Sequence, residues 1–510
     1  MANPAGRKSA VQGALAAFSW LARAASLSVI LLGAQAAMAQ RSVVATVSAY
    51  SGPGAGGPAD LVSNAIPFRP GELANAGQVR ILSAGSEVPI ATRVLARWPQ
   101  DNSIRSLLVQ FAASPGNYTV EIGSSRTTTD REFVPVAWDV PQRIMALPAQ
   151  YLSESLIFWE QTPLGSSGFP DWDAKQLNGY SRIATPGSSS CVRDDHYYDA
   201  ITTTFQLYAR TGNPTYLING RRWALHHRRD QIYLTGSDAG HPRCSGNYLN
   251  NTRYTFPQGL VQDYFMFGDE QDVAVSRLVV EKFYMSPSYS WWFHKAPGTR
   301  GFWTEREPAF ALIGILALYE ATLEDKYLDF ATNAIGQLHA MQVANGNRAW
   351  VHNLYDHDPD EGCSQNDWGS SPWMSGLLLE AIVKYHKLTG SNVAKESILM
   401  AVDDLRQRYL ATREYAGRSF VYLGCSAYKD GTPDLDGLIA HAFGYAYRIT
   451  GDPSYRDLGI AIFRTSIEAG AVSSHKHFNQ QFRSSGHFPA YISQSQAARR
   501  PNPPENLRVQ

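Results

Sequence analysis

The sequence predicts a multidomain α and β protein: a small β barrel or sandwich near the N-terminus, then a large all-α domain whose helical hairpins close into an (α/α)5-6 toroid. Two observations carry this. The motif Tyr447-Arg-Ile-Thr-Gly-Asp-Pro-Ser-Tyr455 returns as Tyr208-Ala-Arg-Thr-Gly-Asn-Pro-Thr-Tyr216, and looser copies begin at Tyr264, Tyr319 and Tyr385, giving five copies spaced by 55 to 66 residues. A period of that size marks a repeated supersecondary unit. Ahead of the copies, residues 41–139 hold short runs rich in β-branched side chains, divided by Gly, Pro, Asn and Ser, which is the pattern of strands.

The first element is an export signal over residues 1–39. Arg7, Lys8 and Arg23 flank small and apolar runs, Leu27 to Ala37 is an apolar core, and Ala34 to Ala39 offers small residues for cleavage after Ala37 or Ala39. That core is too short to anchor a membrane, and no later run is long and apolar enough to span one. The expected destination is therefore secreted or periplasmic.

Composition narrows the partners. In 510 residues, Lys plus Arg and Asp plus Glu balance at 45 each, so there is no basic surplus to neutralise nucleic-acid phosphates. Aromatic residues make up 12% of the chain, with 12 Trp and 26 Tyr, and in an exported protein such side chains supply stacking platforms for sugars as well as core.

The next element is the β domain, residues 41–139. Strands are expected at Val43 to Ala49, Gln78 to Leu82, Val88 to Trp98, Ile104 to Phe111 and Tyr118 to Ile122. The run from Val88 to Phe111, V-P-I-A-T-R-V-L-A-R-W-P-Q-D-N-S-I-R-S-L-L-V-Q-F, resembles the N-terminal hairpin of exo-rhamnogalacturonan-lyase-like proteins of the six-hairpin glycosidase superfamily, in which a V-P-x-Q … W-P-D-G-S-I-R-W hairpin precedes an α/α toroid. Thr92 stands where that pattern has Gln, Gln100-Asp101-Asn102 replaces the Asp-Gly turn, and Ser106 replaces the second Trp. The resemblance covers the order of domains and one hairpin. It implies a toroid that cleaves uronate-containing polysaccharide.

Residues 141–490 are the expected toroid. Gln142 to Phe158 reads as a further helix, restarted at Pro148, that supplies a sixth element of the ring; Thr162 to Ser190 reads as a loop. In the copies at Tyr208 and Tyr447 an apolar helix runs into the Tyr, a Gly takes the left-handed stop, and Asn or Asp caps the next helix with Pro in its first turn. Ala309 to Leu318 and Leu438 to Tyr447 are apolar nearly all round, as inner helices are. Tyr327 to Met341 and Tyr455 to Ile467 are amphipathic, as outer helices are. The tail 491–510 is Pro-rich and opens like a fibronectin type III strand.

Tight turns lie where inner helices end, so the long loops gather where they begin, and chemistry is expected there. Those loop ends supply Asp195, His196 and Tyr197; Arg253 and Tyr254; Arg300, Trp303, Glu305, Arg306 and Glu307; Asp367, Trp368 and Trp373; and Asp436, with His441 deeper. An Asp at a helix start is most often only a cap; here several carboxylates, arginines and aromatics converge on one axis. Cys191, Cys244, Cys363 and Cys425 fall on the same face. Of three pairings, Cys191 with Cys244 and Cys363 with Cys425 join adjacent loops.

Two mechanisms fit this inventory. Glycoside hydrolysis needs paired carboxylates, from Glu305, Glu307, Asp195, Asp367 and Asp436. Elimination at a uronate needs cations for the enolate and a Tyr or His to move protons, here Tyr254 with His196, and Arg253 and Arg300. Arg306, Tyr197, Trp303, Trp368, Trp373 and His441 would bind sugar. Elimination is the favoured expectation; hydrolysis and a non-catalytic glycan-binding protein are the alternatives. Asp356-His-Asp358 and His475-Lys-His477 carry metal-ligand atoms at close spacing, but read more simply as solvated loops. No cofactor is required by the pattern, calcium being the one candidate.

Overall fold

The computed structural model describes residues 40–187, 189–244, 247–248, 251–287, 304–355 and 361–493. The stretch expected to be an export signal and the Pro-rich tail lie outside them.

Among the described residues ten strands precede the first α-helix: β1 (Arg41–Ala49), β2 (Ala55–Gly56), β3 (Leu61–Pro67), β4 (Val79–Ser83), β5 (Ser86–Val88), β6 (Ala91–Arg97), β7 (Ile104–Ala112), β8 (Gly116–Ile122), β9 (Val140–Pro141) and β10 (Arg143–Ala146). Eight of them form one sheet in the order β5-β4-β8-β1-β10-β3-β7-β6. The expectation of five strands in a barrel or sandwich thus gives way to a single larger sheet. Strand β3 escaped the period-two pattern because it is buried along its whole length, Ser63 and Asn64 included. Asn64 is satisfied there by exchanging hydrogen bonds with the backbone of Met145 (2.9 and 3.0 Å). Strand β10 corrects the expected helix over 142–158: Thr46 to Ala49 pair with Ala146 to Arg143 in antiparallel register, and this pairing outweighs the helix propensity of Met and Ala. The helix there, α1 (Ala149–Ser155), starts only after Pro148.

The helical domain follows the predicted turns. Its hairpins are α3 (Ala200–Thr211) with α4 (Pro214–Asp230), α5 (Pro257–Phe267) with α6 (Glu270–Val279), α7 (Arg306–Thr322) with α8 (Asp325–Ala344), α9 (Pro372–Thr389) with α10 (Asn392–Arg408), and α11 (Ala440–Thr450) with α12 (Pro453–Ala469). Gly212, Gly268, Gly390 and Gly451 take left-handed φ values of 65 to 76° at the turns, and Asn213, Asp269, Ser391 and Asp452 cap the second helices. In the third hairpin the stop is Leu323, at φ 54°. Helices α3, α5, α7, α9 and α11 pack side by side in that order and are buried nearly all round, as the inner layer.

The sixth hairpin is assembled from both ends of the domain. The stretch expected to be a loop contains α2 (Pro170–Tyr180), begun by Pro170 with Asp171 and Asp173 in its first turn. It is the outer arm to α13 (His475–Phe482) and α14 (His487–Ser493). Gly179 faces Phe478, and Trp172 donates to Ser485 Oγ (3.2 Å). Helix α14 packs on α11. Thr203 Oγ1 donates to Asn479 Oδ1 (2.8 Å) and Gln206 to the Arg483 carbonyl (2.9 Å), which joins α13 back to α3. Closure therefore comes from residues 475–493 and not from 142–158.

The sheet lies against the tight-turn end. Tyr264 Oη donates to Leu95 O (3.1 Å), and Arg93 donates to the carbonyl of the turn residue Gly268. Arg105 of β7 reaches between helices to Glu320 (2.5 Å), which also holds Lys384 (2.6 Å). Its guanidinium lies over Trp98 and Phe265, at 4.3 and 4.6 Å from the ring centres. The loop end of the ring is left to other elements.

Candidate active site at the loop end of the ring

Four inner helices present consecutive parts of one cluster. Tyr197 and Tyr198 precede α3; their rings stack 4.2 Å apart. Tyr198 and Asp199 both have left-handed φ values, 68 and 69°, a conformation that costs a bulky residue about 1–3 kcal/mol and collects at functional sites. Asp199 is buried and caps α3 by accepting from Thr202 N (3.0 Å).

Before α5, a 3-10 turn, Thr252–Tyr254, begins at Asn251, whose side chain accepts from Arg253 N (3.1 Å). It sets the Tyr254 ring 5.1 Å from that of Tyr197 and under the Arg253 guanidinium, 4.9 Å from the ring centre. Burial raises the Tyr254 pKa; Arg253, Arg306 and Arg193 pull the other way.

Arg306 opens α7 and is 6% exposed. Its guanidinium lies 5.4 Å from the Trp373 ring centre. Burial works against its charge, but Tyr197, Glu307, Tyr198 and Tyr422 lie near enough to raise its pKa on balance. Trp373, in the first turn of α9, stacks on Tyr422 at 6.0 Å, and Tyr422 donates to Glu361 Oε1 (2.9 Å). The Lys476 ammonium, from α13, is 5.9 Å from the Tyr197 ring centre. Together these side chains form a cluster of aromatic rings and cations in which Tyr254 and Arg306 are buried.

The carboxylates are engaged otherwise. Glu305 Oε1 accepts from Ser371 N (3.0 Å) and Ser375 Oγ (3.2 Å), and its Oε2 lies 3.5 Å from His352 Nδ1. Glu307 Oε2 accepts from both Thr252 N (3.0 Å) and Thr252 Oγ1 (2.7 Å); burial raises its pKa against the pull of Arg253 and Arg306. Asp195 accepts from Gln231 Nε2 (2.7 Å) and lies 3.4 Å from His226 Nε2. Asp436 accepts from Phe420 N (3.2 Å), and burial pushes its pKa well up. Asp367 accepts from Ser364 N (2.7 Å) in a loop.

The other expected site residues divide. His196 is buried in an aromatic stack, 4.3 Å from the His227 ring and 5.2 Å from Phe256; burial, with its neighbouring histidines, keeps its pKa well below the usual value. His441 bonds the Gly376 carbonyl (3.0 Å) and is held neutral by burial, its pKa pushed down to about 4. Trp368 stands on the rim, 38% exposed, in a two-residue strand paired with His352–Asn353. Arg300, Trp303 and Asp356-His357-Asp358 lie outside the described residues. Tyr422, Glu361 and Lys476 were not singled out in the sequence; the nearest signal was the adjacency of Glu361 and Tyr422 to Cys363 and Cys425.

Both disulfides pin this face. Cys191–Cys244 joins the segment before Tyr197 to the one before Tyr254, and Cys363–Cys425 joins the segments bearing Glu361 and Tyr422. Asp367 lies close to the second pair, but disulfide sulfurs are not thiolate ligands.

No family model matches the sequence, and no curated protein matches it at a significant level. Among solved structures the chain is similar to a polysaccharide lyase, at 15% identity and a TM-score of 0.48, over 64% of this chain and 99% of that one. It is similar to a D-mannose isomerase at 13% identity and TM-score 0.44, over 63% and 95%. A third likeness is to an inactive α-1,6-mannanase variant of Salegentibacter sp. HEL1_6 in complex with α-1,6-mannotetrose, at 15% identity and TM-score 0.42, over 64% and 98%. At such distances the chemistry rests on this chain's own side chains.

Proposed function

We propose that the protein is an exported enzyme that cleaves a uronate-containing polysaccharide by elimination, at the cluster of Tyr197, Arg253, Tyr254 and Arg306. The observation that carries this reading is the pairing of two guanidinium groups with a buried phenol at the loop end of the ring. A uronate carboxylate suits the arginines, and neutralising it stabilises the enolate that forms when the neighbouring carbon loses its proton.

In the proposed step, the Tyr254 phenolate takes the proton from the carbon beside the carboxylate. The electron pair of that C–H bond becomes a carbon–carbon double bond as the adjacent C–O bond breaks. The leaving oxygen takes up the phenol proton, which restores Tyr254. Tyr197, 5.1 Å away, stands beside Tyr254 where His196 was expected. Arg306 over Trp373 offers a cation and an apolar face to the sugar. Export is supported by the signal-like N-terminus and by the two disulfides; among the described residues no helix is long and apolar enough to cross a membrane.

Hydrolysis is the second reading, and one observation favours it: Glu307 is a buried carboxyl whose pKa is raised, as a general acid requires. The two readings separate on product. Digestion of pectic, alginate and glycosaminoglycan polymers releases ultraviolet-absorbing unsaturated ends under elimination, and reducing ends alone under hydrolysis.

A further inference from the structure

We propose that Glu305 and Glu307 are positioning residues: they brace α7 against α9 on one side and against the turn before α5 on the other, and so fix the Arg306 guanidinium between the tyrosine pair and Trp373. The proposal deepens the elimination reading and takes its choice of Tyr254 and Arg306 from it.

Helical geometry supplies the first argument. Successive residues of a helix point about 100° apart, so the neighbours of Arg306 at the head of α7 face in nearly opposite directions, with Arg306 between them. The observed partners agree. Glu305 takes the Ser371 N–H, at the cap of α9, and the Ser375 hydroxyl one turn on, at 3.0 and 3.2 Å. Glu307 takes the Thr252 N–H and hydroxyl on one oxygen, and its own carbonyl also accepts from the Thr252 hydroxyl at 2.8 Å. Each brace ends two residues short of a proposed substrate contact: Ser371 precedes Trp373, and Thr252 precedes Tyr254.

Burial supplies the second argument. Both carboxylates are fully enclosed, and every hydrogen bond just described binds them to protein donors. A carboxyl that receives a backbone N–H and a hydroxyl on the same oxygen is held in one orientation by those donors, and losing it would leave both donors buried and unpaired. Removing one brace would leave buried N–H and hydroxyl groups without a partner and let one wall of the site drift, and a displacement of about 1 Å in a reacting group lowers turnover about 10²-fold.

The test uses four variants, Glu305→Gln, Glu307→Gln, Glu305→Ala and Glu307→Ala, assayed on the polysaccharide that the full-length enzyme degrades. A glutamine oxygen still accepts the same donors, so each Gln variant is expected to keep at least about a tenth of kcat/KM. Glu307→Ala is expected to lose about 10²-fold in kcat with little change in KM, because it frees Tyr254; Glu305→Ala is expected to raise KM, because it frees Trp373. A loss of about 10³-fold or more in either Gln variant, the mark of a carboxyl that transfers protons, would overturn the assignment. If an Ala variant does not fold, the Gln variants decide alone. Product type is read in the same assays: tolerant Gln variants in an enzyme without unsaturated product would leave the braces standing and refute only the elimination reading.

Discussion

The rings of Tyr197 and Tyr254 lie 5.1 Å apart, although 57 residues of chain separate them, and the Cys191–Cys244 bond ties together the two segments that lead into them. The covalent link thus lies six residues upstream of Tyr197 and ten upstream of Tyr254, the proposed reacting group. Replacing both cysteines by Ser is expected to destabilise the fold by about 2–4 kcal/mol, measured by denaturant unfolding. It is also expected to lower kcat/KM more than the Cys363→Ser, Cys425→Ser double variant does, since that pair holds Glu361 and Tyr422 instead. Equal losses from the two would show that neither bond serves the tyrosine pair.

The pH dependence follows from the sign of the Tyr254 shift. Burial raises its pKa, so the free enzyme holds a phenol at neutral pH, and the phenolate that takes the proton grows as pH rises. The profile of kcat/KM should therefore climb on the alkaline side. Arg253 and Arg306 both lower the Tyr254 pKa, so Arg306→Gln should shift that climb to higher pH as well as weaken binding. An acidic optimum that survives Tyr254→Phe would point to the carboxyl chemistry of Glu307.

The turns of the hairpins give opposite stability tests. A Cβ on Gly212, at φ 65°, would come 2.6 Å from the Leu147 carbonyl oxygen, so Gly212→Ala should cost about 1–3 kcal/mol. Leu323 already holds a left-handed φ of 54°, and Leu323→Gly should relieve about 1 kcal/mol of that strain. Chemical denaturation of the two variants reads both signs; stabilisation by the alanine would contradict the geometry.

This turn chemistry is also the part of the fold most legible in the sequence. A Gly before Asn or Asp and Pro, as at Gly212 and Gly451, can do little except stop one helix and cap the next, and three further hairpins followed from the spacing of the looser copies. The sixth did not, because Pro170–Tyr180 and His475–Ser493 come from opposite ends of the domain with no turn between them. Strand β10 was hidden because Arg143–Ala146 carries no strand signal of its own and is fixed by pairing with β1. At the site, the convergence of Arg253, Tyr254, Arg306 and Trp373 followed from topology, since they all sit where inner helices begin. The partners of the carboxylates were not legible: spacing alone does not show that Glu305 accepts from Ser371 and Ser375, or Glu307 from Thr252. The surroundings of His196 were hidden for a similar reason, since a loop-end histidine and one stacked on His227 look alike in sequence.

The Arg105–Glu320–Lys384 group joins the sheet to the inner helices where all three side chains are buried. Glu320→Ala would strand two cations in a desolvated setting, and is expected to cost about 3–5 kcal/mol. Arg105→Met and Lys384→Met in the same background should recover much of the loss. No recovery would mean that packing around Trp98 and Phe265, and not charge, sets the stability of the junction.

The central claim is that a phenol and two arginines carry out an elimination. Its most direct test follows ultraviolet absorbance of unsaturated uronate ends and release of reducing ends together, for the purified wild type and for Tyr254→Phe, across uronate polymers. The claim predicts that both signals rise in step for the wild type on at least one polymer and that both fall by about 10²-fold or more in the variant. Reducing ends that appear without absorbance, or an eliminating Tyr254→Phe enzyme, would contradict it.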